Sequence, residues 1–179
     1  MSLERHPRRR DPFAEHRAWL NRAAALTLKH ADEGGSHHPS VKVGAVLVSA
    51  DGKELVSSSN GFAAGVDRCR AERYNDGHKS LWINCAEQLA LAHAARLGLT
   101  LEGTRLYVTV NPCAICAGLI AEAGIREVYV PVDALRRYAD LKDKWKESLE
   151  IGLIKLTEAG VNVIAVDTGE SSMPAKRHE

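Results

Sequence analysis

One phrase occurs twice in the second half of the chain: Glu122-Ala123-Gly124-Ile125 and Glu158-Ala159-Gly160-Val161. In each, helix-forming residues run into a glycine suited to the left-handed turn that ends a helix, and a run of β-formers follows. The first phrase leads into residues 126–130 and the second into residues 162–166. Between them, from about residue 142 to 159, lies an amphipathic helix whose buried stripe is expected at Trp145, Leu149, Leu153 and Leu156. Two successive helix–glycine–strand units are the rhythm of an α/β layered domain and not of a repeat array.

The rest of the chain fits that frame. Asp11-Pro12 reads as an N-cap with proline at the first helical position, and Phe13, Leu20, Ala24 and Leu28 recur at helical spacing to about Lys29. Gly34-Gly35-Ser36 breaks that helix, and residues 41–49 and 54–59 are β-rich runs joined around Asp51-Gly52, a strong hairpin signal. Residues 60–82 are irregular and longer than most connections, as functional loops often are. Residues 85–97 read as a helix with Leu89, Ala90, Ala94 and Leu97 on one side. Residues 105–110 read as a strand with Leu106, Val108 and Val110 alternating, and residues 113–123 as a helix closed by Gly124.

The chain has 179 residues, 45% hydrophobic and 26% charged, which suits one domain with a substantial core. We expect a basic arm over residues 1–10 (Arg5, Arg8, Arg9, Arg10), one domain over 11–168 and a polar tail over 169–179. A formal net charge of +1 argues against bulk attraction to nucleic acid or to an anionic membrane. No stretch approaches the roughly 18 apolar residues of a membrane span. The arginine-bearing N-terminus has no apolar h-region, so a cytoplasmic protein is expected.

Four cysteines, Cys69, Cys85, Cys113 and Cys116, are too few for a disulfide scaffold in a chain this long. Cys113-Ala114-Ile115-Cys116 is a C-x-x-C, which alone suits a redox pair or half a zinc site. Zinc is favoured by Pro112 directly before it, and by Cys85 at the mouth of the other expected helix with Glu87 two residues on. Three thiolates would then converge from two helix N-termini, whose positive ends lower thiol pKa values, and three protein ligands leave zinc's fourth position for water.

Cys85-Ala86-Glu87 followed by Pro112-Cys113-Ala114-Ile115-Cys116 resembles the [H/C]-A-E … P-C-x-x-C signature of the zinc-dependent cytidine and deoxycytidylate deaminases. The resemblance runs from about the first helix to the last strand. Residues 59–66, beginning Ser59-Asn60-Gly61-Phe62, are similar to the N-G-[F/M]-P-x-G segment of the deoxycytidylate branch. Residues 79–84 stand where that branch has a strand-like aromatic run. It implies a three-layer α/β/α fold with a mixed sheet of about five strands, a homo-oligomer, and Zn²⁺ on Cys85, Cys113 and Cys116. It also implies Glu87 as the proton-shuttling acid–base and Asn60 as a contact to base or sugar. Two departures stand out. Cys85 stands where that branch usually has histidine, three-cysteine ligation being typical of the small nucleoside cytidine deaminases, and Ala63 and Gly118 replace a proline and a lysine common among relatives.

The implied reaction is hydrolysis of a cytosine nucleotide, dCMP to dUMP plus ammonia. The alternatives are a nucleoside, a base such as guanine, tRNA adenosine, or a catalytically silent zinc-stabilised binding domain. For the phosphate, the best local cation cluster is Arg68, Arg70 and Arg73, then Arg136-Arg137; the default for each is a solvated charge run. Taken singly, Glu87 would be an ordinary helix N-terminal carboxylate and Asn60 a turn residue. Cys69 with His78, or His37-His38, offers material for a second zinc site without specifying one, and His93 is expected to be a packed or surface residue.

Overall fold

The structure, a computed structural model, describes residues 11–75, 77–134 and 142–169. The expected arm, Arg136-Arg137 and the tail from residue 170 lie outside the described residues. The β-rich runs form strands β1 (Gly44–Val48) and β2 (Glu54–Ser59), paired antiparallel through a turn in which Gly52 takes φ +82°. Three further strands, β5 (Arg105–Val108), β6 (Glu127–Pro131) and β7 (Asn162–Val166), complete a five-stranded sheet in the order β2-β1-β5-β6-β7. The β1–β5 pair is antiparallel, whereas β5–β6 and β6–β7 are parallel, so the sheet is mixed. A two-stranded sheet, β3 (Gly61–Phe62) with β4 (Ile83–Asn84), stands beside it.

Alternation along the strands sends side chains to two different layers. Val46, Val48, Tyr107 and Tyr129 pack against Leu20, Ala23 and Leu26 of helix α1 (Ala14–Leu28). Ala45, Leu47, Leu106, Val108, Val128 and Val130 face the opposite layer, built from helices α3 (Ala86–Arg96), α4 (Ala114–Glu122) and α5 (Asp143–Glu158). The three-layer α/β/α fold with its five-strand mixed sheet is therefore as expected. Among the described residues no helix is long and apolar enough to cross a membrane.

The details differ where packing overrides periodicity. Residues 60–82 hold β3, a 3₁₀ turn at Ala71–Tyr74 and one helical turn, α2 (Lys79–Trp82), so the run before Cys85 is a helical turn leading into a two-residue strand. Phe13 and Leu28 are exposed, because Leu20, Ala23, Ala24 and Leu26 carry the packing of α1. On α3 the buried face is Ala86, Glu87, Ala90 and Ala94, while Leu97, expected inside, is 66% exposed past the helix end. On α5 the buried stripe is Leu149, Gly152 and Leu156, and Leu153 is 40% exposed. The helix turns Gly152 inward because its backbone lies against Pro112 and Cys113, where no larger side chain fits.

Candidate active site

The N-termini of α3 and α4 bring their cap residues together. Cys85, with extended backbone (φ −64°, ψ 154°), is the N-cap of α3, and Cys113 (φ −70°, ψ 169°) is the N-cap of α4. An N-cap points its side chain over the first helical turn, where backbone N–H groups lack intrahelical partners. At α3 the cap is reciprocal: the Cys85 sulfur faces the Gln88 amide, and the Cys85 N–H donates to Gln88 Oε1 at 2.9 Å. The buried Ser58 hydroxyl of β2 donates to the Ala86 carbonyl at 2.6 Å, tying the mouth of α3 to the sheet edge.

This places the sulfurs of Cys85, Cys113 and Cys116 all within 4.8 Å of one another, two of the residues buried and the third half-buried. Among the described residues this is the one group of His, Cys, Asp or Glu side chains so gathered. Cys69 is exposed and, with His37, His38 and His78, forms no such group. A fourth protein ligand from Cys69 or His78, which a closed structural zinc site requires, is therefore absent from the cluster.

The electrostatics of the trio suit a cation. The Cys113 thiol is held far below its ordinary value by hydrogen bonds from the thiols of Cys116 and Cys85 and by the amides of Cys116 and Ile115. The thiols of Cys116 and Cys85 are pushed up, chiefly by the hydrogen bonds they donate to Cys113 and then by burial and the nearby negative charges. The residues alone thus hold one thiolate readily and resist the second and third. A divalent cation bearing on all three sulfurs removes that resistance, and the donor set is the soft, tetrahedral-prone one that zinc prefers.

Glu87 lies in the first turn of α3 and is only 2% exposed. Burial raises its pKa to about 7, its own backbone amide draws it down and the Cys113 charge adds to the rise, while the Cys116 thiol is a hydrogen-bond partner that favours the carboxylate. A carboxyl group poised near neutral pH can both accept and return a proton there.

Asn60, 6% exposed, is spent mainly on the chain itself. Its Oδ1 accepts from Ser36 Oγ at 2.5 Å and from the Val43 N–H at 2.8 Å, and its Nδ2 donates to the Val41 carbonyl at 2.8 Å. One amide hydrogen is left over. The three arginines expected to meet an anion are dispersed. Arg68 pairs with Asp32 and His37 and borders a cavity of about 370 Å³ lined also by Ser36, Lys42, Cys69 and Tyr74. Arg70 pairs with Asp67 at 3.0 Å on the surface, and Arg73 donates to the Asp67 carbonyl and lies 4.2 Å over the Trp82 ring. Sequence reasoning missed Ser58, Gln88, Lys42 and Ser36; of these only Gln88, three residues after Cys85, carries a local signal, that of a capping box.

The chain matches the family model of the cytidine and deoxycytidylate deaminase zinc-binding region over residues 17–132. It is 33% identical to an uncharacterized deaminase in the luxG 3′ region of Aliivibrio fischeri, across 72% of this chain and 81% of that one. It is 30% identical to a Drosophila melanogaster protein named a probable deoxycytidylate deaminase, across 78% of this chain and 68% of that one. Among solved structures it superposes on the dCMP deaminase of cyanophage S-TIM5 in complex with dCMP and dUMP. That match has a TM-score of 0.63 and 25% identity over 87% of this chain and 98% of the phage chain.

Proposed function

The chain belongs to the cytidine and deoxycytidylate deaminase family, and from that premise we propose that it converts dCMP and water to dUMP and ammonia. The observation that carries the proposal is the burial of Glu87 against the three-sulfur cluster. Cys85, Cys113 and Cys116 would hold Zn²⁺, which when bound would supply the Lewis acid that makes a water nucleophilic at neutral pH. Glu87 takes the proton released as that water attacks the ring carbon bearing the amino group. It hands that proton to the ring nitrogen, then moves the remaining proton of the added hydroxyl to the amino group, so that the carbonyl forms as the C–N bond breaks and ammonia leaves. The raised pKa of its buried carboxyl suits both directions of transfer.

Substrate contacts follow from neighbours of this centre. Gly61 pairs with Asn84, directly before Cys85, so Asn60 stands close to the metal ligands with one amide hydrogen available to a base or sugar oxygen. The ring of His37 lies against Gly61, joining the Arg68 cavity to the same strand. Arg68, with Lys42 lining the same cavity, therefore receives the 5′-phosphate by charge-assisted hydrogen bonds, while Arg70 and Arg73 shape the loop that carries it. Residues 11–168 act as one catalytic domain, a reading supported by a main sheet whose strands run from Gly44 to Val166. Exposed Ile115 and Leu119 on α4 and Ile151 and Ile154 on α5 support a homo-oligomer. The deciding experiment measures ammonia release from dCMP, deoxycytidine, cytidine and guanine by the zinc-loaded protein. A preference for dCMP supports the assignment, and turnover confined to another substrate replaces it.

A further inference from the structure

Helix α5 lies across the first turn of α4 and touches it at three positions on one stripe, Ser148, Gly152 and Lys155. Ser148 Oγ accepts the Ala114 N–H at 3.2 Å, and Lys155 Nζ donates to the Ala114 carbonyl at 2.9 Å. Between them, a Cβ on Gly152 would lie 2.2 Å from the Pro112 carbonyl oxygen and 3.0 Å from the Cys113 carbonyl carbon, so α5 sits backbone-to-backbone on the peptide that carries Cys113. Gly118, one turn on in α4, gives the lysine its room: a Cβ there would lie 3.2 Å from Lys155 Nζ.

We propose that this stripe is a clamp on the metal loop, with Ser148 and Lys155 positioning residues that set how tightly Cys113 and Cys116 hold zinc. The inference rests on the zinc-dependent reading above. A helix start offers several N–H groups with no intrahelical partner. Ser148 takes the first of these, from Ala114, and so fixes the start of the helical turn on which Cys113 and Cys116 are carried. Hydrogen bonds that orient a metal's ligands tune its affinity. Three thiolates also outweigh a divalent cation by one charge. Lys155 brings its ammonium to the residue beside Cys113, partly offsetting that excess from a solvent-exposed position.

The test is the zinc dissociation constant of the intact, folded protein by chelator competition, with the thiolate-to-cobalt charge-transfer band of the Co²⁺-loaded form as a second readout. Ser148→Ala and Lys155→Met should each weaken zinc by about 10–100-fold and shift the cobalt band, as loss of a ligand-orienting partner does. Ser148→Thr, which keeps the hydroxyl, should restore affinity, and Glu150→Ala, on an exposed part of α5, should leave it unchanged. A helix that merely packs would lose thermal stability in Ser148→Ala with the zinc constant and the cobalt spectrum unmoved, and that result overturns the proposal. Lys155 is exposed, so Lys155→Met keeps its fold and decides the matter alone if Ser148→Ala does not fold. Failure of the parent protein to bind zinc would instead overturn the functional reading on which the clamp rests.

Discussion

Replacing Asn60 by alanine separates a loop-holding side chain from one that acts on substrate alone. Asn60 ties three points of the segment between α1 and β1: Ser36, Val41 and Val43. Removing the donated bond to the Val41 carbonyl costs about 1 kcal/mol. The two accepted bonds come from the Ser36 hydroxyl and the Val43 amide, both in buried residues, and each donor left unmatched adds roughly 1 kcal/mol. The sum is about 3 kcal/mol, a large share of the roughly 5–15 kcal/mol that stabilises a domain. For a chain of this size it lowers Tm by about 6–12 °C. Urea and thermal denaturation at one fixed zinc concentration measure it, since bound metal raises apparent stability. Ser36→Ala should cost about 1–2 kcal/mol, since Ser36 Oγ also accepts the His38 N–H at 3.1 Å, and the double variant should cost less than the two single variants added, because the two residues share one bond. A Tm within about 2 °C of the parent, with kcat/KM reduced, would refute the reasoning and leave Asn60 a substrate contact only.

Arg68→Ala should raise KM for dCMP by about tenfold or more, the worth of a charge-assisted hydrogen bond, while barely changing turnover of deoxycytidine. Equal kcat/KM for the two substrates in the parent protein would remove the phosphate contact from Arg68. Metal analysis should find one zinc per chain, lost on Cys113→Ala; two zincs per chain would make ligands of Cys69 and the loop histidines.

The parts of the fold written as short-range pattern were open to reading in advance. The repeated helix–glycine–strand phrase located α4 to β7, and the three ligand positions and Glu87 stood out because each lies within a few residues of a helix start. What escaped were contacts between distant segments. The strands β3 and β4 are two residues each and exist only through pairing with one another, so no periodicity marks them. On α5, Leu149 and Leu156 are buried as expected but Leu153 gives way to Gly152, because helical spacing cannot show that a neighbouring backbone comes within van der Waals reach. Ser148 and Lys155 act on Ala114 from 34 and 41 residues away, and a serine and a lysine on an amphipathic helix look like any solvated face. Arg68, Arg70 and Arg73 read as one cluster in sequence, whereas in space Arg68 turns to Asp32 and His37 while Arg70 and Arg73 both turn to Asp67.

The central claim, a buried carboxyl moving protons beside a three-cysteine zinc, is tested most directly by Glu87→Gln. Glutamine keeps the shape of Glu87 and removes its titrating proton, so zinc content and the folded circular dichroism spectrum should match the parent. Release of ammonia and dUMP from dCMP should fall by at least about 100-fold, the lower end of what a positioned acid–base contributes. Turnover of dCMP undiminished in a folded, zinc-replete Glu87→Gln protein would contradict the account.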